Sequence, residues 1–196
     1  MRTAYKFLAP GGVSPFIRFR WPRAGTWVTA PDEQEESWIF ACRDRDLPYW
    51  LERELWVIEL DEPVRELRFQ LAASRARLLR RVSRWDEDLR REYARACALR
   101  ARDLVLPAAP PELRGGLERA RGPEEVAAVV GKASVTSIIT SYLGDAARIG
   151  ARGDGATASY VTCVLAATLK GDAAGFEAER AWQAGWLGER VGPEAG

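Results

Sequence analysis

The spacing of apolar residues changes once along this chain, and that change constrains the fold more than any other feature. Up to about residue 85, apolar positions recur every second residue or in short solid runs. From Asp86 onward they recur every three to four residues, the spacing of a buried helical stripe. A chain of 196 residues with this pattern fits an α+β protein. The expected architecture is a small N-terminal antiparallel β-sheet domain over residues 1–85, followed by a C-terminal α-helical bundle over residues 86–196. The first part holds six of the eight tryptophans, more aromatic surface than so short a sheet covers by itself. The two parts are therefore expected to fold as one cooperative unit.

Within the β part, residues 3–8 (TAYKFL) form a first strand candidate, and Gly11-Gly12 marks a turn. Residues 16–21 (FIRFRW) largely alternate apolar and basic side chains, which predicts a half-buried strand. Phe19 and Trp21 would face one side of it, and Arg18 and Arg20 the other. Residues 32–36 are acidic and read as a loop. Residues 37–42 (SWIFAC) and 54–60 (ELWVIEL) are further strands, and Pro48-Tyr49-Trp50-Leu51 reads as one helical turn between them. Residues 67–72 and 76–82 complete the sheet as two strands or one bent ribbon, with helix an alternative for the second.

In the helical part, Asp86 is placed to cap a helix with Leu89, Tyr93, Cys97, Ala101 and Leu104 on its buried stripe. Pro107, Pro110 and Pro111 break the chain, a short helix runs to Arg121, and Pro123 starts another. Ser134 is placed to cap a further helix that buries Val135, Ile138, Ile139, Tyr142, Leu143 and Ala146. Gly150, Gly153 and Gly155 form a hinge before two last helices, divided by Gly171 and closed by Gly192.

The chain has no histidine, which removes serine and cysteine triads, histidine-bound zinc and imidazole acid–base chemistry. An enzyme built on it would use carboxylates, arginine, tyrosine, serine, threonine or cysteine. Cys42, Cys97 and Cys163 are far apart in sequence, with no spacing that suggests a zinc site or a redox pair. Neither a metal nor any other cofactor is expected. Residues 1–10 do not read as a secretory signal, and no run approaches the roughly 18 apolar residues of a membrane span. A soluble, cytoplasmic protein with reduced thiols is expected. The net charge of +1 gives no general attraction to nucleic acid or anionic membranes.

Several of these segments resemble a known family. Residues 5–8 (YKFL), 19–22 (FRWP), 41–43 (ACR), 46–51 (DLPYWL), 54–60 (ELWVIEL) and 179–187 (ERAWQAGWL) are similar to a pattern in a family of actinobacterial proteins. More distantly the chain resembles a domain of unknown function found in phage-related proteins. In the actinobacterial pattern a histidine often stands where this chain has Phe40. The resemblance implies a fold and a class and brings no activity with it.

Cys42-Arg43 followed by Asp46-Leu-Pro-Tyr-Trp is the densest cluster of functional residue types. Its structural reading makes Cys42 a core residue and Tyr49-Trp50 a cover over the sheet. Its functional reading places Arg18, Arg20, Arg43, Tyr49 and Trp50 together as a ligand or partner site, with guanidinium groups around an aromatic platform. The run Arg75, Arg77, Arg80, Arg81 and Arg84 reads as an outward face rather than a phosphate-binding patch. Glu52, Glu54 and Glu59 have no spacing that defines a catalytic pair.

A binding or protein-interaction module is therefore favoured over an enzyme. Its partner would be a protein, or a small anionic or aromatic ligand. Nucleic acid and membrane are not expected, and self-association is left open. The alternatives are a small histidine-independent enzyme acting on a nucleotide or other anion, and nucleic-acid binding through the arginine run.

Overall fold

Main-chain pairing in the first half of the chain builds two short antiparallel sheets, and a computed structural model of the protein describes residues 1–31, 38–133 and 137–191. The chain divides into two compact units. One comprises residues 1–86 together with the chain from Ala184 onward, and the other is Glu87–Gln183. The fold class is α+β, as the change of period implies.

In the first unit the strands are β1 (Arg2–Leu8), β2 (Val28–Thr29), β3 (Ile39–Ala41), β4 (Glu54–Leu60), β5 (Arg65–Leu67), β6 (Gln70–Ala73) and β7 (Arg75–Arg81). One sheet has the order β1-β4-β7-β2 and the other β3-β6-β5. β1 joins them. It pairs along its whole length with β4, and on its other edge Tyr5 exchanges main-chain hydrogen bonds with Cys42, at 2.9 and 2.8 Å. The core between the sheets gathers Ala4, Leu8, Trp21, Ile58, Leu60, Leu71 and Leu78. Phe7, on the opposite face of β1, packs edge-on against Trp85 with ring centroids 5.6 Å apart.

The strand expected over residues 16–21 does not form. Arg18 has φ +56°, which breaks the pleat, and its amide bonds back to the Ser14 carbonyl. The segment is instead a loop, closed where Val13 bridges Ala9 and Arg20. Arg18, Phe19 and Arg20 are therefore all exposed, and only Trp21 turns inward. The expected helical turn at Pro48 begins earlier, as a 3-10 helix over Asp44–Tyr49. The expected loop at residues 32–36, Ser37 of the third strand, Ser134, Val135 and Gly192 lie outside the described residues.

Three arginines of the run meet carboxylates. Arg77 bonds Glu59 at 2.6 Å and Arg75 meets Asp61 at 3.3 Å, both across from β4, while Arg81 lies 3.7 Å from Glu54. Arg75 and Arg77 also sit over the Trp27 ring, at 4.5 and 4.8 Å. Cross-strand pairing of this kind accounts for the charge of Arg75, Arg77 and Arg81.

The second unit contains α1 (Glu87–Val105), α2 (Pro111–Arg119), α3 (Pro123–Gly131), α4 (Ile138–Ala151), α5 (Gly155–Lys170) and the larger part of α6 (Ala173–Val191). The stripe expected on α1 is realised in buried Tyr93, Cys97 and Ala101. α4 is capped by Ser137, which exchanges hydrogen bonds with Thr140. A Cβ on Gly150 would come within 2.6 Å of the Ala98 side chain, so a bare glycine lets α1 and α4 cross closely. Among the described residues no helix is long and apolar enough to cross a membrane.

Glu54 ties the first loop to the sheet. Its buried carboxylate accepts hydrogen bonds from the amides of Gly11 and Gly12 and from the Trp56 indole, at 3.0, 3.3 and 3.1 Å. Gly11 and Gly12 have φ +79° and +70°, and this left-handed pair aims successive N–H groups at one anion. Burial alone would raise the Glu54 carboxyl, but the Trp56 and Gly11 hydrogen bonds and the Arg81 charge outweigh it and hold it below the usual glutamate range. Glu54→Gln should cost about 1–3 kcal/mol near neutral pH, the penalty for unsatisfied buried donors. Because the folded pKa is depressed, this stabilisation is present above the ordinary glutamate pKa and lost as pH falls through the lower folded value. Denaturant melts of the two proteins should therefore differ at neutral pH and converge in acid.

Candidate functional site

Alternation along β1 puts Tyr5 and Phe7 on one face, and Ala4, Lys6 and Leu8 on the other. Ala4 and Leu8 belong to the core between the sheets, so Lys6 carries an ammonium on a core-facing stripe. Its Nζ donates to the Phe40 carbonyl at 2.6 Å and lies 5.5 Å from the centre of the Trp21 ring. Among the described residues no carboxylate lies within ion-pair distance of it.

Beside Lys6 opens a cavity of about 570 Å³, within the size range of small-molecule sites. Phe16, Phe19, Trp21, Trp38, Phe40 and Trp50 are among its lining residues. Its polar groups are few. The Ser14 hydroxyl is already engaged, accepting the Trp21 indole N–H at 3.0 Å. Cys42 donates its thiol to the Tyr5 carbonyl at 3.4 Å, and burial pushes that thiol far above its usual pKa. Lys6 is half-buried and lines the cavity. This burial lowers its pKa from 10.5 to about 8, against a smaller opposing effect of the Cys42 thiol.

Of the five residues expected to converge, Trp50 alone lines this cavity, and its indole donates to the Phe69 carbonyl at 2.8 Å. Tyr49 stacks on Phe69 with centroids 4.3 Å apart. Arg18 and Arg20 are exposed on the loop, since the broken pleat does not sort them onto one face. Arg43 is engaged elsewhere. It bonds buried Asp46 through Nε, Glu66 at 3.1 Å, and the carbonyls of Leu67 and Arg68 at 2.8 and 3.1 Å. The hydrogen bond to Asp46 leads the effects that raise the Arg43 pKa. Four donor contacts of this kind describe a staple between the 3-10 helix and the β5–β6 turn.

Lys6, rather than Arg43, is the cation in the aromatic cavity, and sequence reasoning passed over it. Its signal was present as a lysine between Ala4 and Leu8 on one face of a strand. Among the described residues, no cluster of three or more histidine, cysteine, aspartate or glutamate side chains is placed to hold a metal. Comparison of the chain with family models, curated proteins and solved structures gives no match.

A lysine held this way destabilises the fold while it is charged. Since its folded pKa is lower than its unfolded one, the penalty is complete below about pH 8 and disappears as pH rises toward 10.5. The shift sets the penalty at up to roughly 3–4 kcal/mol. Lys6→Met should therefore melt at a higher temperature than the native protein at neutral pH. The difference between their melting temperatures should shrink as pH rises from about 8 to 10.5. A difference that stays constant across this window would show that the ammonium is not confined.

Proposed function

We propose that the protein is a non-enzymatic binding module whose ligand is a small apolar molecule, aromatic by preference, bearing one anionic group. The ligand occupies the cavity of the first unit with its anion on Lys6 and its rings against Trp21, Trp38, Phe40 and Trp50. The observation that carries this reading is the Lys6 ammonium on the wall of an apolar cavity, with a carbonyl for a neighbour and no counter-ion among the described residues. An anion arriving there replaces water with a charge partner in surroundings of low dielectric, where the attraction is strong. The aromatic walls contribute stacking and apolar burial in the same step. Arg43 contributes through the fold rather than through contact, because its donors already have partners.

A protein partner is the second reading. It is favoured by Phe16 and Ile17, which are 84% and 78% exposed on the loop at the cavity's edge.

Titration calorimetry with 2-naphthoate and with uncharged 2-naphthylmethanol separates the two. The carboxylate should bind more tightly by at least roughly tenfold, or about 1.4 kcal/mol. Lys6→Met should erase that preference. Arg43→Ala should retain it while lowering the melting temperature, because it strips a buried carboxylate of its partner. Equal binding of both compounds, or a preference that survives Lys6→Met, would overturn the reading.

A further inference from the structure

We propose that the Lys6 amine is also a nucleophile, condensing with the carbonyl carbon of an apolar aldehyde held in the cavity to form an imine. The proposal rests on the cavity as a ligand site and adds a covalent step to it.

Three features of the site place the amine for this reaction. β1 is paired on both edges at this point, Lys6 opposite Trp56 on β4 and Tyr5 with Cys42, so the stem of Lys6 rises from a fixed backbone. The Phe40 carbonyl takes one N–H at 2.6 Å, which orients Nζ while leaving its other positions without a carboxylate partner. The wall around it is largely apolar, which holds an apolar aldehyde against the amine. A lysine that loses its proton readily in apolar surroundings is the kind that serves as an amine nucleophile. Burial brings Lys6 to about 8, so its neutral fraction near neutral pH exceeds that of an ordinary lysine.

The step balances without a further reactant. The Nζ lone pair attacks the carbonyl carbon and a carbinolamine forms. Its oxygen then leaves as water with the two hydrogens that the amine brought, and a C=N bond replaces the C=O bond. When protonated, the imine carries the same single positive charge as the ammonium, so the Phe40 carbonyl and the Trp21 ring keep the charge they already face.

Only Lys6, Lys132, Lys170 and the Met1 α-amine offer primary amines, so the sites of reaction can be told apart. The whole protein is treated with 2-naphthaldehyde and cyanoborohydride at about pH 7.5, where a lysine near 8 is partly neutral, and the reduced adducts are mapped on peptides. Lys6 should be labelled faster than Lys132 and Lys170 by at least roughly tenfold, as expected of a desolvated lysine. Excess 2-naphthoate should suppress the Lys6 adduct and leave the others unchanged, and Lys6→Arg should remove it. If naphthaldehyde quenches tryptophan fluorescence while Lys6 reacts no faster than Lys132 and Lys170, the nucleophile is refuted and the cavity reading stands. If neither quenching nor 2-naphthoate binding occurs, the cavity reading falls and takes the nucleophile with it.

Discussion

β1 is held by main-chain hydrogen bonds on both of its edges, and the geometry of the first unit follows from that double pairing. On one edge it runs antiparallel to β4 from Arg2 to Leu8; on the other, Tyr5 and Cys42 hold the second sheet. A strand fixed on both sides cannot rotate its side chains away from an unfavourable face, because a slip of one residue would invert every position at once. Ala4 and Leu8 must face the core, and Lys6 between them must follow. The confined ammonium is thus a consequence of register. The aromatic residues around it come from segments that the double pairing brings together: the loop after β1, β3, and the turn ending at Trp50.

What was legible in the sequence divides along physical lines. Periodic elements could be read because many residues contribute to one signal. ELWVIEL became β4, and the stripe of Tyr93, Cys97 and Ala101 became the buried face of α1. The loop over residues 16–21 could not be read, because one backbone angle at Arg18 overrides an alternation that is otherwise sound. Asp46 stands three residues after Arg43, a spacing that allows reciprocal bonding at the start of a helical turn, and it engages the Arg43 guanidinium there. Of the residues expected to converge, Trp50 lines the cavity, and the cation beside it is Lys6, one of only three lysines in the chain.

The helical unit shows how differently this chain treats a cation that has been given partners. Arg180 is buried, and its guanidinium donates to the Ser159 hydroxyl at 2.6 Å and to the Gln183 side-chain carbonyl at 3.0 Å. Gln183 returns a hydrogen bond to the Ser159 carbonyl at 3.0 Å, closing a network between α5 and α6. Burial lifts the Glu179 carboxyl above its usual range, although Arg100 at 3.1 Å opposes the shift. Such a network fixes one arrangement of two helices. Lys6, with one carbonyl and one ring, is the contrasting case, and it is the one that lines a cavity.

The three cysteines give the two units separate reporters. Cys42 is buried in the first unit, and Cys97 and Cys163 in the second; burial raises all three thiols above their usual range. A thiol that is both enclosed and protonated reacts with an alkylating reagent only when its surroundings open. The labelling rates of Cys97 and Cys163 therefore measure the opening of the helical unit, whereas that of Cys42, on the cavity wall, measures access through the cavity. Three natural residues thus provide, without any engineered probe, one clock for the helices and one gauge of the cavity.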